Sequence, residues 1–191
     1  MRCARYSALV ERFVLTPTCE LAIAEGDLTK ADVDAIVNAA NQRMLGGGGV
    51  DGAIHRAAGP ELREACAAVP EVRPEVRCPT GEARITPGFR LAARWVIHTV
   101  GPVYSRPEKS APLLRSAYRS SLDLANERAL TSIAFPAISC GVYGYPADEA
   151  AAISVETCAA HAGALAEIRF VLFGDAMYRV WLDAAQGYRR K

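Results

Sequence analysis

Long apolar runs are missing from this chain. No stretch of its 191 residues approaches the ~20 apolar positions that a bilayer crossing needs. Charge of one sign is missing too: 22 Lys and Arg against 21 Asp and Glu leave a formal net charge of +1. That is too little for broad electrostatic capture of nucleic acid. Histidine is scarce, with His55, His98 and His161 far apart, and the six cysteines show no CxxC or other short pairing. No zinc-ligand set or disulfide framework can be read from such spacing, so free, mostly buried thiols are expected. Neither Gly-rich stretch closes with Gly-Lys-Ser/Thr, and no G-x-G-x-x-G follows the first strand, which argues against a kinase and a Rossmann dehydrogenase. Glu11 and Arg12 interrupt any apolar leader segment, so a cytoplasmic protein is the expectation. Internal repeats, low-complexity tracts and linkers are absent from the sequence, and the length fits one domain.

What is present is concentrated in one stretch. The apolar run Ala35-Ile36-Val37 reads as a buried strand. Asn38-Ala39-Ala40-Asn41 follows, then Gly46 to Gly49, then Val50-Asp51 at the start of an Ala-rich helical pattern. Glycines let backbone approach a ligand closely. A helix N-terminus offers unpaired N–H groups and a positive dipole end to an anion. Asn38, Asn41 and Asp51 would supply directional polar groups beside a bound phosphate. The plainer reading, a flexible connector with Asp51 favouring a helix start, stays open at this point.

A second loop, Ser139-Cys140-Gly141-Val142-Tyr143-Gly144, also leads from a short strand into an Ala-rich helix. Two such loops suit a diphosphate better than a monophosphate. Strands are expected near 20–24, 35–40, 81–86, 94–100, 131–136 and 167–173. Helices are expected over 50–58 and 61–69, around 114–125, over 147–160 and around 178–185. Thr29 is expected to cap a short helix reaching Asp34. The alternation implies an α/β protein with helices on both faces of a mostly parallel sheet. In such folds ligands bind beyond the carboxyl ends of strands, where Asp27, both loops and Phe173 fall. Asp27 can accept from an amino group such as an adenine N6, and Phe173 can stack on a base. His98, inside an apolar strand, reads as a satisfied core histidine.

Five segments together resemble one family: Gly26-Asp27-Leu28-Thr29, Ile36 to Asn41, Gly46 to Gly59, His98 to Pro102, and Phe135 to Pro146. In matching order over residues 20–185, they look like a macrodomain of the MacroD type, similar to the bacterial O-acetyl-ADP-ribose deacetylases. The resemblance implies a three-layer α/β/α fold with a mixed, mostly parallel central sheet. Residues 19–188 would form that domain, with residues 1–18 as an N-terminal extension whose one local signal is a short strand or helix around Leu9 to Leu15. It also implies an ADP-ribose cleft that needs no metal or other cofactor. Asp51 would position or activate the attacking water, and Asn41 would orient the distal ribose. Asp27 and Leu28 would meet the adenine side, with Phe173 against the base. Asn38, Gly48, Gly49 and Val50 would line the first loop; Ser139, Gly141, Val142, Tyr143 and Gly144 would hold the diphosphate and wall the ribose. Gly174-Asp175 after Phe173 departs from the family, which often has an acid directly after the aromatic.

The partners implied are ADP-ribose, its esters and ADP-ribosylated proteins, and the implied reaction removes acetyl or ADP-ribose from an ester. A positioned base gives ~10²–10⁴-fold, and Asp51 is the only acid in the Gly loop. A nucleophilic Cys140 has no flanking histidine to activate it. A non-catalytic ADP-ribose reader or a regulatory module remains the alternative from another class.

Overall fold

A computed structural model describes residues 10–189. Seven strands and five helices follow one another: β1 (Val10–Thr16), β2 (Cys19–Glu25), β3 (Ala35–Ala39), α1 (Gly49–Ala58), α2 (Pro60–Ala68), β4 (Ala83–Pro87), β5 (Trp95–Thr99), α3 (Pro107–Glu127), β6 (Ser132–Phe135), α4 (Ala147–His161), β7 (Glu167–Leu172) and α5 (Asp175–Arg189). The sheet order is β1-β2-β7-β6-β3-β5-β4. Its five central strands run parallel, and β1 and β4 close the edges antiparallel. This is the mixed, mostly parallel α/β/α sandwich expected.

Strand alternation sorts the core into two layers. Ala35, Val37, Ile97, Ile133, Phe135, Ile168 and Phe170 face one side. There they pack with Leu114, Tyr118 and Leu122 of α3, Ile153 of α4, and Trp181 of α5. Ile36, Val96, Ala134 and Val171 face the other, against Ile54 of α1 and Leu62 and Cys66 of α2. The register that sends Ile36 and Val96 to the α1–α2 layer also sends Asn38 and His98 there, two residues on. Both are fully buried.

Two expectations need correction. Residues 10–16 are not part of an extension: β1 pairs with β2 from Val10↔Ala24 to Thr16↔Cys19, and Phe13 and Leu15 pack on the core. Pairing with a neighbour decides for a strand where the local pattern left strand or helix open; residues 1–9 of the expected extension, with Cys3, lie outside the described residues. Thr29 does not cap a helix to Asp34. Asp27 caps a single 3-10 turn, Leu28–Lys30, its Oδ1 accepting from Thr29 N at 2.9 Å and Thr29 Oγ1 at 2.7 Å.

Candidate functional site

The carboxyl ends of β2, β7, β6 and β3 lie along one edge of the sheet, so the segments that leave them gather there. Asp27 follows β2, Phe173 follows β7, the Ser139 loop follows β6, and the Gly loop follows β3. Because β6 and β3 are neighbours, the two loops stand side by side. Asp27 and Phe173 are exposed, Phe173 at 94%. Leu28 is buried in the α1-side core, so only its backbone is available to a ligand.

The Gly loop is built around Asn41. Its Oδ1 accepts from Arg43 N at 3.0 Å and Met44 N at 3.2 Å, while its Nδ2 donates to Gly46 O at 3.1 Å. The amide thus ties the loop into a closed turn. The N–H groups of Gly48, Gly49 and Val50 donate to nothing among the described residues, and Gly49 starts α1 at a φ of +58°. In the second loop, Ser139 is buried at a φ of +67°, a backbone strain of the kind that gathers at binding loops. Gly101, at the exit of β5, has to be glycine because a Cβ there would meet Ser139 Oγ and Ile138 Cγ2. Tyr104 N donates to Tyr143 O at 2.9 Å and Tyr145 N to Ser139 O at 3.0 Å. These ties leave the Gly141, Val142 and Tyr143 N–H groups without a protein acceptor among the described residues, and Gly141, Val142 and Gly144 exposed.

Asp51 departs from expectation. Expected to supply a polar group beside a bound phosphate, it is 3% exposed and turned onto the sheet. The first turn of α1 points it at Asn38, whose Nδ2 donates to Asp51 Oδ1 at 2.7 Å. Gly47 permits this: a Cβ there would lie 2.9 Å from Asp51 Oδ2 and 3.2 Å from Asn41 Nδ2. Oδ2 accepts no hydrogen bond among the described residues. Burial raises the Asp51 pKa above its ordinary value, opposed by the Asn38 bond and the His55 charge. Asn38, expected beside the ligand, is fully buried behind Asp51 and can act only through it.

His55 was missed as a site residue. Its Nε2 lies 3.4 Å from Asp51 Oδ1, one helical turn on, and the i, i+4 spacing in the sequence was the available signal. His98 is the core histidine expected, held between Asn38 and Thr86. Cys140 is a poor nucleophile, its thiol pushed up to about 12 by burial. No group of three or more metal-ligating side chains occurs among the described residues. A hollow of about 160 Å³ beside the Gly loop is lined by Asn41, Arg43, Leu45, Gly46 and Arg63. A larger cavity of about 340 Å³ lies between α3 and α4, which cover the face of the sheet opposite α1 and Asp51.

Residues 37–154 match the family model described as Macro domain. The chain belongs to the Macro domain family. A macro domain-containing protein of Vibrio parahaemolyticus is 54% identical to this macrodomain, covering 86% of this chain and 96% of the relative. One from Xanthomonas campestris is 64% identical over 69% of this chain and 74% of its own length. The Oceanobacillus iheyensis macrodomain, solved with ADP, superimposes with a TM-score of 0.90 at 41% identity, covering 96% of this chain and 98% of that one. A Trypanosoma brucei macrodomain in complex with ADP-ribose gives 0.74 at 47% identity, over 85% of this chain and 68% of that one. The two solved macrodomains share the α/β architecture described above.

Proposed function

We propose that this macrodomain binds ADP-ribose across the two loops and hydrolyses esters of it, releasing acetate from O-acetyl-ADP-ribose or ADP-ribose from acidic protein side chains. Binding is supported by relatives solved with ADP and ADP-ribose and by two sets of unpartnered N–H groups suited to a diphosphate. Asp27 would read the adenine amino group with Oδ2, since Oδ1 is engaged by Thr29. Phe173 would cover the base, and Tyr143 and Asn41 would meet the distal ribose.

One observation carries the hydrolase reading. Asp51 has one carboxylate oxygen pinned by Asn38 and the other buried without a partner beside Gly47. Such a group suits a general base better than an anion binder, because it would repel phosphate. In the reaction Asp51 Oδ2 takes a proton from water as the water oxygen bonds to the acyl carbon. The acyl–ribose C–O bond then breaks, and the proton passes to the ribose oxygen. Loop N–H groups stabilise the charge that develops on the acyl oxygen.

The test pairs binding with turnover. Asp51→Ala should lower acetate release at saturating O-acetyl-ADP-ribose by ~10²-fold or more. ADP-ribose affinity by calorimetry should stay within about tenfold. Asn41→Ala should lose both rate and some binding. Normal turnover by Asp51→Ala would leave that carboxylate a helix-start residue. A parent protein that binds ADP-ribose but cleaves no ester would be a reader.

A further inference from the structure

The hydrogen bonds behind Asp51 do not stop at Asn38. Its Nδ2 carries two hydrogens and has two acceptors, Asp51 Oδ1 at 2.7 Å and His98 Nδ1 at 3.1 Å. Turning the amide over would set its oxygen against an ionised carboxylate, so the pattern assigns Nδ2 to that side. His98 Nδ1 is then a bare acceptor, and the one proton of the neutral ring sits on Nε2, facing Thr86 Oγ1 at 2.9 Å. The ring is fully buried, and burial, aided by the His55 charge, pushes its pKa down to about 3. It stays neutral wherever the protein is folded near neutral pH.

Thr86, His98 and Asn38 sit on β4, β5 and β3, three adjacent strands, and Asp51 comes down on them from α1. The other titratable or charged groups around Asp51 are His55 on its own helix, the Cys66 thiol of α2, pushed up to about 12, and Arg77 beyond that thiol. The Cys66 sulfur is 3.6 Å from His98 Nε2. None of these bonds the Asn38 amide; His98 does.

We infer that His98, backed by Thr86, is a positioning residue for the hydrolysis: its bare Nδ1 locks the Asn38 amide so that Nδ2 faces Asp51 and holds the carboxylate as an aimed anion. This rests on the hydrolase reading of Asp51. The network has two self-consistent states. With Asp51 protonated, its O–H donates to a turned-over Asn38 Oδ1, which also accepts from His98 Nδ1–H, and Thr86 donates to Nε2. The ring and the carboxylate therefore set each other's proton.

Three variants of the full chain test this. His98→Leu removes the acceptor and should lower kcat for acetate release by ~10–100-fold, the usual scale for losing an outer support of a reactive group. ADP-ribose affinity should stay within about threefold. The acid limb of the kcat–pH profile should move to higher pH, because a freed Asn38 no longer stabilises the anion. His98→Asn places an amide oxygen near where Nδ1 stood and should recover most of the rate and the original limb. Thr86→Val, equal in shape without the hydroxyl, should move the limb in the same direction as His98→Leu.

A slower His98→Leu with its limb in place marks a packing residue and overturns the inference, as does an unchanged rate. Should His98→Leu not fold, an unmoved limb in Thr86→Val overturns it. If the parent cleaves no ester, the hydrolase reading falls by itself. Carboxyl-carbon NMR of Asp51 still decides the network: a pKa raised in Thr86→Val supports it, and an unchanged one overturns it. Nitrogen NMR of the parent should find the His98 proton on Nε2; a proton on Nδ1 overturns the assignment.

Discussion

Gly47 stands between Asp51 and Asn41, the two residues proposed to act at the distal ribose. An added Cβ would press on Asp51 Oδ2 from 2.9 Å and on Asn41 Nδ2 from 3.2 Å, both ends of hydrogen-bonded side chains with little room to give. Gly47→Ala should therefore cut turnover at least ~10-fold, a displacement effect of the kind small misplacements produce. Its circular dichroism and melting should stay those of the parent, and a normal rate would show that the carboxylate is not held through this contact. Asp27 offers a cleaner separation of structure from binding. Asp27→Asn keeps an Oδ1 acceptor for Thr29 but replaces Oδ2 with a donor that cannot accept from an amino group. ADP-ribose should bind roughly tenfold more weakly by calorimetry, within the ~1–3 kcal/mol of a lost buried acceptor. Unchanged affinity would place the base elsewhere. Asp27 and Asp51 were both legible as candidates because each is an acid just past a strand end or Gly loop. The burial of Asp51 was not, since an Asp at a helix start faces water in most settings.

β1 shows how an element is decided by its neighbour. Glu11 and Arg12 interrupt its apolar pattern, and Val14 is 72% exposed, so periodicity does not decide between strand and helix there. Antiparallel pairing with β2 and the packing of Phe13 and Leu15 make it a strand. Removing residues 1–17 should leave β2 as a bare edge and lower Tm by about 5–10 °C, at ~2–4 °C per kcal/mol for a chain of this size. Scanning calorimetry checks this, and an unchanged Tm would return residues 10–16 to the standing of an extension. The two loops were legible for the opposite reason. Their glycines, the asparagines of the first loop and the helices they enter are local features, and Ser139 keeps its φ of +67° within that local frame.

At the scale of the molecule, His98 makes the fold acid-labile. The unfolded chain binds a proton at this ring near pH 6.5, whereas the folded chain resists it down to about 3. The unfolded state therefore holds more protons between those values, and stability drains as pH falls through that window. The slope from this one ring reaches about 1.4 kcal/mol per pH unit. Urea midpoints at pH 7, 5 and 4 should fall more steeply for the parent than for His98→Asn; parallel curves would remove the ring from the account. The sequence by itself determined the succession of strands and helices from β2 onward, and which turns lie beyond strand ends, because periodicity and glycine placement act over a few residues. Only the tertiary structure decided that Asn38 meets Asp51 across 13 residues and His98 across 60. Those contacts depend on which strands become neighbours in the order β1-β2-β7-β6-β3-β5-β4 and on which face of β3 and β5 the α1 helix covers. Alternation along a strand says that Asn38 and His98 share their faces with Ile36 and Val96; packing alone says what waits on that side.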